Sequence, residues 1–233
     1  MRYTLYRRDS VTVQIAGGEP QVQTVGHTAF LTIDFRAIAG ETQIEITIDS
    51  IRLDPDVAFP QIMVDSAVGT RWTGGFSPEG RLEHLVAGKS SLVGDQMRTQ
   101  LNTLFPVLPA AGVRVGAEWT DSSSNPFKTS TFDATEQGTT TYHATAQESR
   151  DGAAAIRIEG VRSATLTGTS NQFGQDLALS GAASTTVVYY VGFAGRLLSA
   201  EGAESTDLSI TVQSVGQTVP AKLEASFMFS EVP

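Results

Sequence analysis

The sequence predicts an all-β fold: a long curved antiparallel sheet or half-open barrel in two similar lobes, with one packed helix. Three observations carry this reading. Apolar residues recur at a period of two along most of the chain, one run departs to helical spacing, and several patterns repeat between the halves at a near-constant offset. A period of two puts alternate side chains on one face of a strand, whereas steps of three and four make a stripe along a helix.

Taken in order, Val11, Val13 and Ile15 alternate with polar residues, as do Leu31, Ile33 and Phe35, and then Ile44, Ile46 and Ile48. Gly40-Glu41 separates the last two runs and makes them a long hairpin. Arg71-Trp72-Thr73 and Arg81 to Leu85 flank a Gly- and Pro-rich stretch, which reads as another turn. Val93, Met97, Leu101, Leu104 and Leu108 then recur at steps of four and three. They predict a helix over about residues 91–105, capped by Ser90 or Ser91 and ended by Pro106 and Pro109. Val113 to Trp119 opens a new strand. Thr139 to Ser149 and Ala153 to Thr167 are joined by Arg150-Asp151-Gly152, a strong hairpin signal. Leu177 to Tyr190, Gly195 to Ser199, Leu208 to Val215 and Lys222 to Phe229 complete the strands.

The halves echo one another. His27 matches His143, Ile44-Glu45-Ile46 matches Ile156-Arg157-Ile158, and the turn from Phe76 to Leu82 matches Phe193 to Leu197 with two residues fewer. A fixed offset is how a duplicated unit shows in sequence. The expected organisation is an N-terminal β lobe at 1–90, a helix and proline-rich connection at 91–112, and a C-terminal β lobe at 113–233.

Composition narrows the function classes. The 233 residues are 40% hydrophobic and 18% charged, which argues against global disorder. Net charge is −9 and only Lys89, Lys128 and Lys222 are lysines, so no basic surface is available for nucleic acid or anionic lipid headgroups. The absence of cysteine removes disulfides, thiolate nucleophiles and cysteine metal sites. No apolar run approaches the roughly 20 residues of a transmembrane helix. No secretory leader opens the chain, since Met1 to Tyr6 runs into Arg7-Arg8-Asp9. Either the protein is cytoplasmic or Met1 replaces a removed leader, and abundant Thr, Ser, Gly and Gln with scarce Lys favours the second: an exported β-protein, periplasmic, outer-membrane-associated or extracellular.

The order of signals has a family likeness. A long hairpin, Val64-Asp65-Ser66 ahead of Trp72, the Phe76-x-x-x-Gly80-Arg81-Leu82 turn, a short helix, Phe105-Pro106-Val107-Leu108-Pro109, and Val113-x-Val115-Gly116-x-x-Trp119 follow one another. This pattern resembles a family of exported bacterial β-proteins, often lipoproteins, catalogued as a domain of unknown function. More distantly, the architecture is similar to that of periplasmic lipoprotein carriers, which hold acyl chains in a half-open barrel. The resemblance implies a fold and a compartment; fold alone does not fix function.

Nothing in the sequence assembles a catalytic site, a metal site or a cofactor cradle, and the expectation is a protein that is not an enzyme. His27, His84 and His143 share no ligand spacing. Asp54-Pro55-Asp56 with Asp49 and Asp65 is the densest acidic stretch, but it lacks the calcium-loop pattern and reads as a turn capped by aspartates. No nucleophile elbow and no phosphate-binding glycine loop occurs. Trp72, Phe76, Phe105, Trp119 and Phe127 gather around the expected junction of the lobes, either as core or as the grip on a lipid or other hydrophobic ligand. Three functions stay open: binding of an acyl or similar ligand, an interaction or structural role in an envelope or extracellular assembly through strand edges, and a hydrolase with scattered residues. The terminal segments Thr4–Arg8 and Leu223–Phe229, poor in lysine and free of internal proline, are the edges first expected to recruit a partner.

Overall fold

The computed structural model describes residues 1–14, 18–57, 60–89, 91–128, 132–172 and 174–232. Ile15 and Ser90, used above, lie outside them. Eleven strands follow the chain: β1 (Arg2–Val13), β2 (Gln21–Ile38), β3 (Glu41–Leu53), β4 (Arg71–Phe76), β5 (Leu82–Ala87), β6 (Glu118–Lys128), β7 (Phe132–Arg150), β8 (Ala153–Gln172), β9 (Gln175–Gly192), β10 (Leu197–Val212) and β11 (Gln217–Glu231). One short turn of helix, α1 (Gln61–Asp65), lies between β3 and β4, and the main helix α2 (Leu92–Leu104) lies between β5 and β6.

All eleven strands form one antiparallel sheet in the order β5-β4-β3-β2-β1-β11-β10-β9-β8-β7-β6. The sheet does not close; β5 and β6 are its edges. The two chain ends therefore meet in the middle, with Leu5 opposite Phe229 on one side and Ala29 on the other. This corrects the expectation that the terminal segments are free edges. The apolar sets Tyr3, Leu5 and Phe227, Phe229 fit one face only when β1 and β11 lie side by side.

Local chemistry sets the hairpins. Ala39 and Gly40 between β2 and β3, and Asp151 and Gly152 between β7 and β8, all have positive φ, as a tight two-residue turn of primed type requires. The helix starts at Ser91, whose hydroxyl accepts from the Gly94 amide at 3.1 Å, and stops where Phe105-Pro106 turns extended. Its stripe docks as the spacing predicts: Met97, Leu101 and Leu104 are buried, and Val93 and Leu108 pack beside them.

Beneath α2 lies the core. It is formed by the inner face of the sheet, with Tyr3, Leu31, Ile33, Ile44, Ile46, Ile48, Trp72, Ile158, Tyr189 and Phe229 almost fully buried. In the matched segments Ile46 pairs with Trp72 and Ile158 pairs with Tyr189. The histidines do not correspond: His27 is buried on the inner face, while His143 is exposed on the outer face.

Three strand expectations are corrected. The strands expected at Gly195–Ser199 and Leu208–Val215 are replaced by one strand, β10, which begins at Leu197, ends at Val212 and is preceded by a 3-10 turn at Phe193–Gly195. The strand expected at Val113–Trp119 begins only at Glu118. β7, β8 and β11 all run further than their apolar patterns.

Candidate functional site

Four of the five aromatics singled out in sequence belong to the packed floor under α2. Trp72 is fully buried and Phe105 nearly so, while Phe76 and Trp119 are half-buried against the same cluster. Phe76 meets Phe35 and Phe105 edge-on at 5.0 and 5.6 Å, and Phe105 meets Phe229, which stacks on Tyr3 at 4.7 Å. Trp119 stacks on Tyr142 at 5.2 Å and donates its indole N–H to the Val107 carbonyl at 2.7 Å, which fastens the connection after α2 to β6. Burial raises the Tyr142 hydroxyl above its ordinary pKa. Phe127 stands opposite Ala134 in the β6–β7 register, and its side chain lies outside the described residues.

Beyond the helix the inner face changes character, in cross-strand rows that the register defines. The first row beyond the core places Asp9 beside Ala225, then Glu204, Thr185, Arg162, Thr140 and Asp121. Arg7, one row nearer the core and nearly buried, reaches Asp9 at 2.8 Å and Glu204 at 3.6 Å. Arg162 pairs with Glu136 from the far side, and Arg81, in the turn after β4, pairs with Asp121 on β6. That last pair links the two edges of the open sheet, since Arg81 precedes β5 and Asp121 lies on β6. Arg7 and Arg162 are largely buried, and a buried guanidinium without a carboxylate would be strongly destabilising, so both are held in pairs.

Past this charged belt lies a second apolar zone. Val11, Leu223, Leu208, Ile210, Leu179 and Leu166 all face inward, because they keep the parity of Leu5, Phe229, Ala200, Tyr189 and Ile158 along uninterrupted registers. Unlike those core residues, all six are half-exposed and stand outside the core cluster. From β8 to β1 the zone crosses five strands, on the order of 20 Å at the usual strand spacing.

The outer face presents different chemistry. A shallow trough of about 830 Å³ runs over β6 to β10, with Ser122, Thr139, Ser163, Ser184 and Ser205 side by side in one row. It is a hydroxyl-rich surface with no aromatic wall. Asp54 and Asp56 are also away from the core: Arg8 reaches them at 3.0 and 2.7 Å, and Tyr6 donates its hydroxyl to Asp54. Hydrogen bonding to Arg8 holds the Asp56 carboxyl below its ordinary pKa. No group of three or more metal-type side chains converges among the described residues. Among the described residues, no helix is long and apolar enough to cross a membrane.

No protein family matches the chain, and no curated protein matches it in sequence. Among solved structures it is similar to a LolA superfamily protein from Nitrosomonas europaea, at 10% identity over 99% of this chain and 87% of that one, with a TM-score of 0.19. It is also similar to a DUF1329 family protein from Desulfovibrio piger, at 10% identity over 99% and 86% of the two chains, again with a TM-score of 0.19. Both are remote likenesses at that TM-score, and neither bears on what this chain binds.

Proposed function

We propose that this chain is a non-catalytic, exported binding protein that holds an elongated hydrophobic or acyl ligand on its inner face, beyond the helix. The observation that supports the reading is the half-exposed aliphatic zone around Leu166, Leu179, Leu208 and Ile210, aligned across β8 to β10 on the face where the sheet is otherwise buried. Contiguous exposed apolar surface of this kind marks an interaction site. Each methylene laid on it contributes about 0.8 kcal/mol, enough in sum to exceed the cost of association for a long chain. Trp72, Phe76, Phe105 and Trp119 serve in this reading as the rigid core on the other side of the charged belt, against which the ligand face is held in shape. The export reading rests on the scarcity of lysine and the Thr-, Ser- and Gly-rich composition.

The test is titration with a neutral hydrophobic fluorophore, N-phenylnaphthylamine. Saturable binding is expected, lost in Leu179→Asp and Ile210→Asp but kept in Ser180→Asp, whose side chain faces outward. Absence of saturable binding in the unaltered protein would remove the reading. A second reading, an interaction or structural subunit, is supported by the eleven-residue edge strand β6, paired only to β7. It requires a partner strand along that edge, which native mass spectrometry of the protein from its source would reveal as a complex.

A further inference from the structure

The charged belt separates the two apolar zones, and its composition is unequal. Four carboxylates, Asp9, Glu204, Glu136 and Asp121, face three guanidinium groups, Arg7, Arg162 and Arg81. The imbalance is concentrated where Arg7 alone serves both Asp9 and Glu204. A polar head lying against the belt, with its chain on the aliphatic zone, therefore meets an excess of negative charge close to Val11, Leu208 and Leu223.

A second observation points to the same place. His27 stands directly opposite Arg7 in the β1–β2 register and is 9% exposed, yet its Nε2 is buried without a hydrogen-bond partner among the described residues. Buried polar atoms are nearly always paired, and an orphan needs a reason. Burial favours the neutral imidazole. With its proton on Nδ1, a neutral ring offers a lone pair at Nε2, an acceptor for a donor group on a ligand.

We propose that the inner face selects long-chain amphiphiles whose head is a cationic hydrogen-bond donor, such as a primary ammonium, and discriminates against anionic heads. The ammonium lies against the Asp9 and Glu204 carboxylates beside Arg7, which carries one charge against their two, and donates to His27, while the alkyl chain runs over Val11, Leu208, Ile210 and Leu179. Anionic heads are disfavoured because Arg7 and Arg162 already hold carboxylates, so no free cation meets them on this stretch among the described residues. This inference rests on the binding reading given above.

Displacement of N-phenylnaphthylamine by dodecylammonium, dodecanol and dodecanoate at neutral pH tests it, each kept below its micellar concentration. Dodecylammonium is expected to displace at concentrations about tenfold lower than dodecanoate, the size of one charge-assisted hydrogen bond, with dodecanol between them. Glu204→Gln and Asp9→Asn should shrink that ratio, and Glu201→Gln, exposed on the outer face of the same strand, should leave it unchanged. Equal displacement by all three, or preference for dodecanoate, overturns the charge selection while leaving the binding reading intact. A fluorophore that never binds saturably overturns both.

Discussion

At the scale of single residues, the informative positions are polar side chains in a place reserved for apolar ones. His27 continues the inner face begun by Ile33, Leu31 and Ala29, and burial holds its imidazole below the ordinary value of 6.5. Asp9 pulls it back up, Arg7 pushes it down, and Asp54 pulls it up again, in order of decreasing strength. The unfolded chain takes up a proton near that ordinary value and the folded chain does not, so stability falls as pH drops below about 6.5. His27→Gln is therefore expected to flatten the stability difference between about pH 7 and pH 5.5, measured by urea unfolding against the unaltered protein. An unchanged slope would show that His27 is free to charge in place.

Among the elements, α2 has the most specific task, since it is the main cover for the apolar half of the sheet. Met97→Asp or Leu101→Asp places a charge in a fully buried position with no cationic partner on the stripe, and should destabilise by more than about 3 kcal/mol. Gln96→Asp, on the exposed side of the same helix, should stay within about 0.5 kcal/mol. Gln100 is a poor control, although it lies off the stripe in sequence, because its side-chain oxygen is itself buried and unpaired. Chemical denaturation of the three variants measures the difference, and equal tolerance would mean that the helix does not dock on this face. Far-UV circular dichroism should be β-dominated and report helix at under a tenth of residues, given thirteen residues in α2 and five in α1, and a helix content near one third would overturn the fold.

On the scale of the whole molecule, the organising feature is that β1 and β11 lie side by side at the centre of the sheet. Terminal segments normally fray, whereas β1 and β11 are each paired on both sides. Hydrogen exchange should find the slowest amides in β1, β2, β10 and β11 and the fastest strand amides in β5 and β6. Rapid exchange along β1 would show that β1 and β11 do not pair at the centre of the sheet as described. The same topology leaves the edges at β5 and β6, with Pro126 interrupting the donors of the longer one.

The sequence alone determined the fold class, the β2–β3 hairpin (with its turn placed one residue late, at Gly40-Glu41), the hairpin at Asp151-Gly152, and the helix with its buried stripe, because each is set by local periodicity or by a turn that few residues can make. It also grouped Trp72, Phe76, Phe105, Trp119 and Phe127 around an expected junction of lobes, and pairing and packing decide that the first four lie in or against the core under α2. It missed the length of β10 for one physical reason. The inward positions Gly202, Glu204 and Thr206 carry the charged belt and its neighbours, and an alternation that turns polar on both faces no longer reads as a strand. The belt itself was invisible for the same reason. Asp9, Glu204, Arg162 and Asp121 are spread over four strands from one end of the chain to the other, and only strand pairing brings them into one row. Pairing of β1 with β11 is a long-range choice that no local pattern encodes. It is decided by which arrangement buries Tyr3, Leu5, Phe227 and Phe229 together, and that arrangement also decides which face a ligand can reach.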